Sequence, residues 1–150
     1  RCHESYLFSM SLFSLLSFLH RFFPAKPVYA HCDIPCGIYT VEPAKTAAQT
    51  VLKMVEKIQA ASATDIHSIA RFTAVKEEHA QKCKQELLIL WTDYFKQEHL
   101  ETFPDLHEKF WKAAKLCSRV KQEVSMEAAT QLKAAVEEIA EIFEKTHSKH

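Results

Sequence analysis

Residues 43–58 read PAKTAAQTVLKMVEKI. Ala44, Ala47, Ala48, Val51, Val55 and Ile58 recur at the spacing of one face of an α-helix, and Pro43 suits its opening turn. The same periodicity returns three times downstream. After a polar break at Ser62-Ala63-Thr64-Asp65, Ile66, Ile69, Thr73, Ala80, Cys83, Leu87, Leu90 and Tyr94 form a long second stripe that skips at Lys76. A third, opened by Pro104-Asp105, runs through Leu106, Phe110, Ala113, Cys117 and Val120. The fourth runs through Ala128, Leu132, Ala135, Ile139 and Ile142, with Ser125 as its N-cap. Narrow apolar stripes joined by short connections predict an all-α, antiparallel four-helix bundle over 43–150. Composition agrees. A single glycine in 150 residues leaves little room for tight hairpins, phosphate-cradling loops or a dinucleotide fold.

Nineteen basic residues balance nineteen acidic ones, so no whole-molecule field draws in nucleic acid. The charge is nonetheless uneven. Residues 1–30 carry Arg1, Arg21 and Lys26 against Glu4 alone, and Tyr6 to Phe23 is almost wholly apolar or serine until His20 and Arg21. Pro24 and Pro27 follow, then Val28-Tyr29-Ala30. An apolar centre, a helix-breaking proline and small residues at −3 and −1 are the layout of a cleavable leader over 1–30. The uninterrupted apolar run, Tyr6 to Leu19, falls short of the ~20 residues that span a bilayer, so no stable membrane anchor is expected. A processing peptidase is the partner this layout implies.

Residues 31–42, HCDIPCGIYTVE, belong to none of the stripes. Pro35 and Gly37 flank Cys36, and the turn they favour brings Cys36 back toward Cys32. If cleavage follows Ala30, His31 becomes the N-terminus and offers an α-amine and an imidazole. Cys32 adds a thiolate and an amide that a metal can deprotonate, and Cys36 adds a second thiolate. One short hook supplies a coordination sphere of nitrogen and sulfur. Taken alone, a Cys-x3-Cys pair behind a leader fits equally a Cys32–Cys36 disulfide of an exported protein.

His31-Cys32-Asp33-Ile34-Pro35-Cys36-Gly37-Ile38-Tyr39 resembles the hook of the nickel-dependent superoxide dismutases. The resemblance extends through Leu90-Trp91-Thr92-Asp93-Tyr94-Phe95-Lys96 and Phe103-Pro104-Asp105-Leu106-His107, over about residues 31–147. It implies a nickel cofactor held by His31, Cys32 and Cys36, superoxide as substrate, and assembly as a homohexamer. It also implies Tyr39 and Tyr94 as proton routes, with Asp33 and Lys96 positioning the hook. In that family such extensions can be removed inside the cell, so a cytoplasmic location is expected, with export through the apolar leader as the alternative.

The donor set suits this chemistry. Thiolates and an anionic amide stabilise an oxidised metal, and planar nitrogen and sulfur donation suits Ni(II). Zinc prefers a tetrahedral site and has no redox chemistry. Two positions depart from the family pattern. By ungapped matching, a glutamate and an arginine that accompany the metal-bound imidazole fall on Gln49 and His79, and the link Thr40-Val41-Glu42 is longer than usual. The competing reading is a non-catalytic exported bundle whose hook is a disulfide or a metal-trafficking site.

Plainer readings apply elsewhere. Cys83 and Cys117 lie on apolar stripes and read as buried thiols, and Cys2 leaves with the leader. His67, His99, His107 and His147 read as solvated or capping residues, and Trp91 and Trp111 as packing residues. A di-iron bundle needs two Glu-x-x-His pairs on different helices, and only Glu144 with His147 has that spacing.

Overall fold

The computed structural model describes residues 38–147. His31, Cys32, Asp33 and Cys36, and the leader residues 1–30, lie outside the described residues. Helix α1 spans Glu42–Ala60, one residue earlier than the stripe suggests, with Pro43 in its first turn. Helix α2 spans Ile66–Ile89, and Asp65 caps it by accepting the Ser68 backbone N–H at 3.1 Å. A π-helical turn, Leu90–Tyr94, extends α2. A short helix α3, Gln97–Thr102, follows. Helix α4 spans Leu106–Gln122 and α5 spans Met126–His147. The Ser125 hydroxyl caps α5 by accepting the Ala128 N–H at 3.2 Å.

The four long helices form a closed ring. α1 packs against α2 and α5, and α4 packs against the same two. Cross-links between α2 and α4 run in opposite order along the two helices: Lys121 to Gln81 at 3.0 Å, Lys84 to Ser118 at 3.1 Å, Trp91 to His107 at 2.8 Å. That ordering makes the pair antiparallel. Val51, Val55, Leu87, Phe110, Val120, Leu132, Val136 and Ile139 meet in the buried centre. Apolar burial of this kind is what stabilises the helices, since isolated segments of these lengths are marginal in water.

The stripes are read correctly in their middles and less well at their ends. Ile66 is 74% exposed because it opens α2 beyond the reach of the neighbouring helices. Ile58 and Ala135 are only half-buried. Val41, assigned to the hook segment, is buried in the core. Trp111 is 55% exposed and carries the Lys115 ammonium 5.7 Å from its ring centre, so it is not a core packing residue. Cys83 and Cys117 are buried free thiols. Hydrogen bonding to Cys117, followed by burial, pushes the Cys83 thiol well above its ordinary value and leaves it unreactive.

The skip at Lys76 is no skip. Lys76 is 1% exposed and occupies its place in the stripe. Its Nζ donates to the carbonyls of Val120, Lys121 and Glu123 at 2.7, 3.1 and 3.0 Å. These carbonyls lie at the α4 C-terminus, where a helix leaves acceptors unpaired and its dipole favours a cation. A buried charge is thereby paired with the end of a neighbouring helix.

Among the described residues, no helix is long and apolar enough to cross a membrane.

Candidate metal centre

The π-helical turn builds one end of the bundle. Its defining bond runs from the Phe95 N–H to the Leu90 carbonyl at 3.0 Å. The Thr92 hydroxyl lies 2.8 Å from the Leu88 carbonyl one turn back, a side-chain bond that loosens a helix at this point. Single π-turns inside helices are frequent at functional sites. Here the turn anchors Leu90 in the core while directing Trp91 and Tyr94 into an aromatic cluster.

Tyr94 is the hub of that cluster. Its ring meets Tyr39 at 5.8 Å, Phe95 edge-on at 4.9 Å and Phe143 at 4.5 Å, and stacks on His99 at 5.8 Å. The phenol oxygen lies 2.9 Å from the Thr146 hydroxyl. Thr146 has one proton and gives it to the Phe143 carbonyl at 2.8 Å, so Tyr94 is the donor in the Tyr94–Thr146 bond. A ring clamped on several sides and a committed hydroxyl hold Tyr94 in one orientation.

Of the residues expected at the site, the structure brings Tyr39 and Tyr94 together. Lys96 follows two residues later, exposed, with extended backbone at the start of α3. Its N–H donates to His99 Nδ1 at 3.0 Å, which makes His99 both a cap and the ring under Tyr94. Asp33, His31, Cys32 and Cys36 lie outside the described residues. Thr146 and Phe143 were not singled out from sequence, whereas His99, read there as solvated or capping, is a cap. Thr146 continues the fourth stripe one turn past Ile142, and that continuation is the signal for it.

Gln49 is exposed on α1 and lines a groove of about 320 Å³ with Lys45, Thr46, Lys133 and Glu137 of α1 and α5. His79 is half-buried on α2, and its Nδ1 lies 2.9 Å from the Val75 carbonyl. A carbonyl only accepts, so that nitrogen carries the proton. Among the described residues no group of three or more His, Cys, Asp or Glu side chains could hold a metal ion. The donors expected from sequence, His31, Cys32 and Cys36, lie outside the described residues.

The family model for nickel-containing superoxide dismutase matches residues 26–147. The chain belongs to the nickel-containing superoxide dismutase family. It is 39% identical over 127 residues to the nickel superoxide dismutase of Streptomyces seoulensis, covering 83% of this chain and 94% of that protein. Identity to the Streptomyces coelicolor enzyme is 38%, with the same coverage. A crystal structure of a nickel-containing superoxide dismutase with oxidised-state nickel ligation superimposes with a TM-score of 0.73 at 35% identity. It covers 79% of this chain and 99% of that one. A native nickel superoxide dismutase structure gives 0.72 at 33% identity, covering 77% and 98%. Membership makes the chain a member of an oxidoreductase family with a nickel cofactor and superoxide as substrate, and sets aside the non-catalytic bundle. Its all-helical architecture is that of the family's solved structures.

Proposed function

We propose that the nickel ion is held by His31, Cys32 and Cys36 once residues 1–30 have been removed, and that superoxide is dismutated there. The observation that carries the reading is the Tyr39–Tyr94 contact at 5.8 Å. It pins the residue three positions after Cys36 against the aromatic end of the bundle, and three residues of chain reach at most about 11 Å. The donor set fits nickel: the His31 amine and imidazole, the Cys32 amide and thiolate, and the Cys36 thiolate. Bound there, nickel would supply Ni(II)/Ni(III) one-electron chemistry, taking an electron from one superoxide and returning it to the next.

The chain's own residues do the rest. The two thiolates and the amide are strong donors that make the oxidised metal accessible. Tyr39 and Tyr94, in contact at 5.8 Å, are the proton routes for peroxide. Thr146 fixes which way the Tyr94 hydroxyl points. The exposed Lys96 joins Asp33 in positioning the hook. Gln49 and His79 in place of a carboxylate and a guanidinium leave the His31 imidazole with a different set of partners, and outer-shell partners fix ligand orientation.

On this reading the domain layout is leader 1–30, hook 31–42 and bundle 43–150, and the chain assembles as a homohexamer in the cytoplasm after a processing peptidase has acted. Exposed Leu88, Trp111 and Val124 offer apolar surface for assembly.

Processing provides the test. While Ala30 precedes His31, the His31 nitrogen is an amide. Cleavage converts it to an amine of ordinary pKa about 7.7–8.0, whose proton a metal displaces near neutrality. Three forms are compared for nickel content, spectrum and superoxide removal: the full chain, the chain beginning at Ala30 and the chain beginning at His31. Only the last should bind stoichiometric nickel with thiolate charge-transfer bands and be active. Equal activity in the uncut form would remove the amine as a ligand.

A further inference from the structure

Two thiols meet in the core where α2 faces α4. Cys83 and Cys117 are both fully buried, neither is in a disulfide, and a hydrogen bond joins them. Contacts along the same seam, Lys84 to Ser118 at 3.1 Å and Lys121 to Gln81 at 3.0 Å, fix its register from the surface side. Ala80, one turn before Cys83, and Ala113, one turn before Cys117, are also fully buried. Small side chains at a helix contact let the two axes approach closely.

A disulfide needs Cα atoms about 4.4–6.8 Å apart and sulfurs that turn toward each other. A close seam of small residues favours the first, and a shared hydrogen bond already supplies the second. What keeps the pair reduced is access and protonation. Only a thiolate attacks an oxidant, and burial beside a second thiol disfavours the thiolate. The pair is therefore inert while α2 and α4 are closed. Local opening, which helical elements undergo below the free energy of global unfolding, returns both to ordinary thiols. Superoxide dismutation releases hydrogen peroxide, so the chain works in the presence of a thiol oxidant of its own making.

We propose that Cys83 and Cys117 are a modification site: hydrogen peroxide converts them to a disulfide when the α2–α4 seam opens, and the bond then holds the seam shut. One thiolate attacks peroxide, its S–O bond forming as the O–O bond breaks, and the leaving hydroxide takes up the thiol's proton as water. The second thiolate displaces hydroxide from the resulting sulfenic acid, forming the S–S bond and a second water. The two sulfurs together lose two electrons, and peroxide gains them. The covalent loop 83–117 encloses the π-helical turn and α3, so it ties down the segment that carries Trp91 and Tyr94. A reductant of the small-thiol class reverses the bond by exchange at the next opening. The family's reaction enters only as the source of peroxide, and the identity of the nickel ligands does not enter.

The test uses the full chain without nickel, carrying Cys2→Ser, Cys32→Ser and Cys36→Ser so that the buried pair supplies the remaining thiols. Hydrogen peroxide is added to the folded protein in the absence of denaturant, free thiols are alkylated, and intact mass and peptide maps are read. The expected product is a single chain lacking two hydrogen atoms, with the peptides of Cys83 and Cys117 joined. It should form at a rate independent of protein concentration and keep the helical circular dichroism of the reduced chain. Its urea midpoint should lie about 0.7–4 M higher until a thiol reductant returns it to the starting value. Cys83→Ala and Cys117→Ala should each lose both the link and the midpoint shift. Peptide mapping of the unsubstituted chain, treated in the same way, should find the same linked pair. Two alkylatable thiols after exposure, sulfinic acids in place of a link, or an oxidised chain no more resistant to urea than the reduced one would overturn the proposal. None of these results bears on nickel content or spectrum, so the two readings fail separately.

Discussion

Lys76→Met isolates what one buried cation does for this bundle. Methionine keeps the length and most of the volume of the lysine stem, so packing around residue 76 changes little. What is lost is the ammonium and its three bonds to the end of α4. The Val120 carbonyl belongs to a fully buried residue, and leaving it unpaired costs about 1–3 kcal/mol. Lys121 is half-buried and Glu123 exposed, so water can replace the ammonium at their carbonyls. Losing a cation at a helix C-terminus costs up to about 2 kcal/mol in a partly buried site. Relief of the lysine's own desolvation, which holds its pKa below the ordinary value, offsets part of this. The net expectation is a loss of about 2–4 kcal/mol. Urea unfolding of the two proteins at one fixed concentration reads it directly, because assembly would otherwise add a concentration-dependent contribution. With a slope of about 1–3 kcal/mol per molar urea, the midpoint should fall by about 0.7–4 M. A shift within about 0.5 kcal/mol, the range of ordinary surface changes, would refute the capping role.

Three further outcomes follow from particular contacts. Cys36→Ser should lose nickel by metal analysis while retaining the helical circular dichroism of the parent, because residue 36 belongs to none of the apolar helix stripes; retained stoichiometric nickel would show the ligand is misassigned. Thr146→Val should cost about 0.5–1.5 kcal/mol and alter the pH profile of superoxide removal by freeing the Tyr94 hydroxyl, whereas an unchanged profile would deny Tyr94 a proton role. The bond from Ser68 holds Asp65 below the ordinary carboxylate range. Its stabilisation is therefore present above the unfolded-state pKa and is lost as pH falls through the lower folded-state value. Asp65→Asn should accordingly show less acid dependence in thermal melts than the parent, and identical dependence in the two would count against the cap.

Helix identity was legible in the chain itself. Periodicity is a property of neighbouring residues: Val51 and Val55, or Leu106 and Phe110, fall on one face because a helix repeats every 3.6 residues, whatever they later touch. Capping is equally local, which is why Ser125 could be assigned without a fold. For His31, Cys32 and Cys36, residue type and spacing left a metal site and a disulfide open, and only the resemblance to a family favoured the metal. Contacts between helices are different in kind. Lys76 reads as a gap in a stripe until the register of α2 against α4 brings three unpaired carbonyls to its ammonium. Trp111 reads as a packing residue until the ring of four helices turns it outward. The π-turn at Leu90–Tyr94 leaves the second stripe's spacing unbroken, yet it sets the direction of Trp91 and Tyr94. Thr146 becomes the partner of Tyr94 only because α2 and α5, diagonal in the ring, finish at the same end of the bundle. Registers of this sort are fixed by burial summed over whole helix faces, a quantity no short stretch of sequence carries, and so stripes and caps were readable in advance while the contacts between helices had to be folded into place.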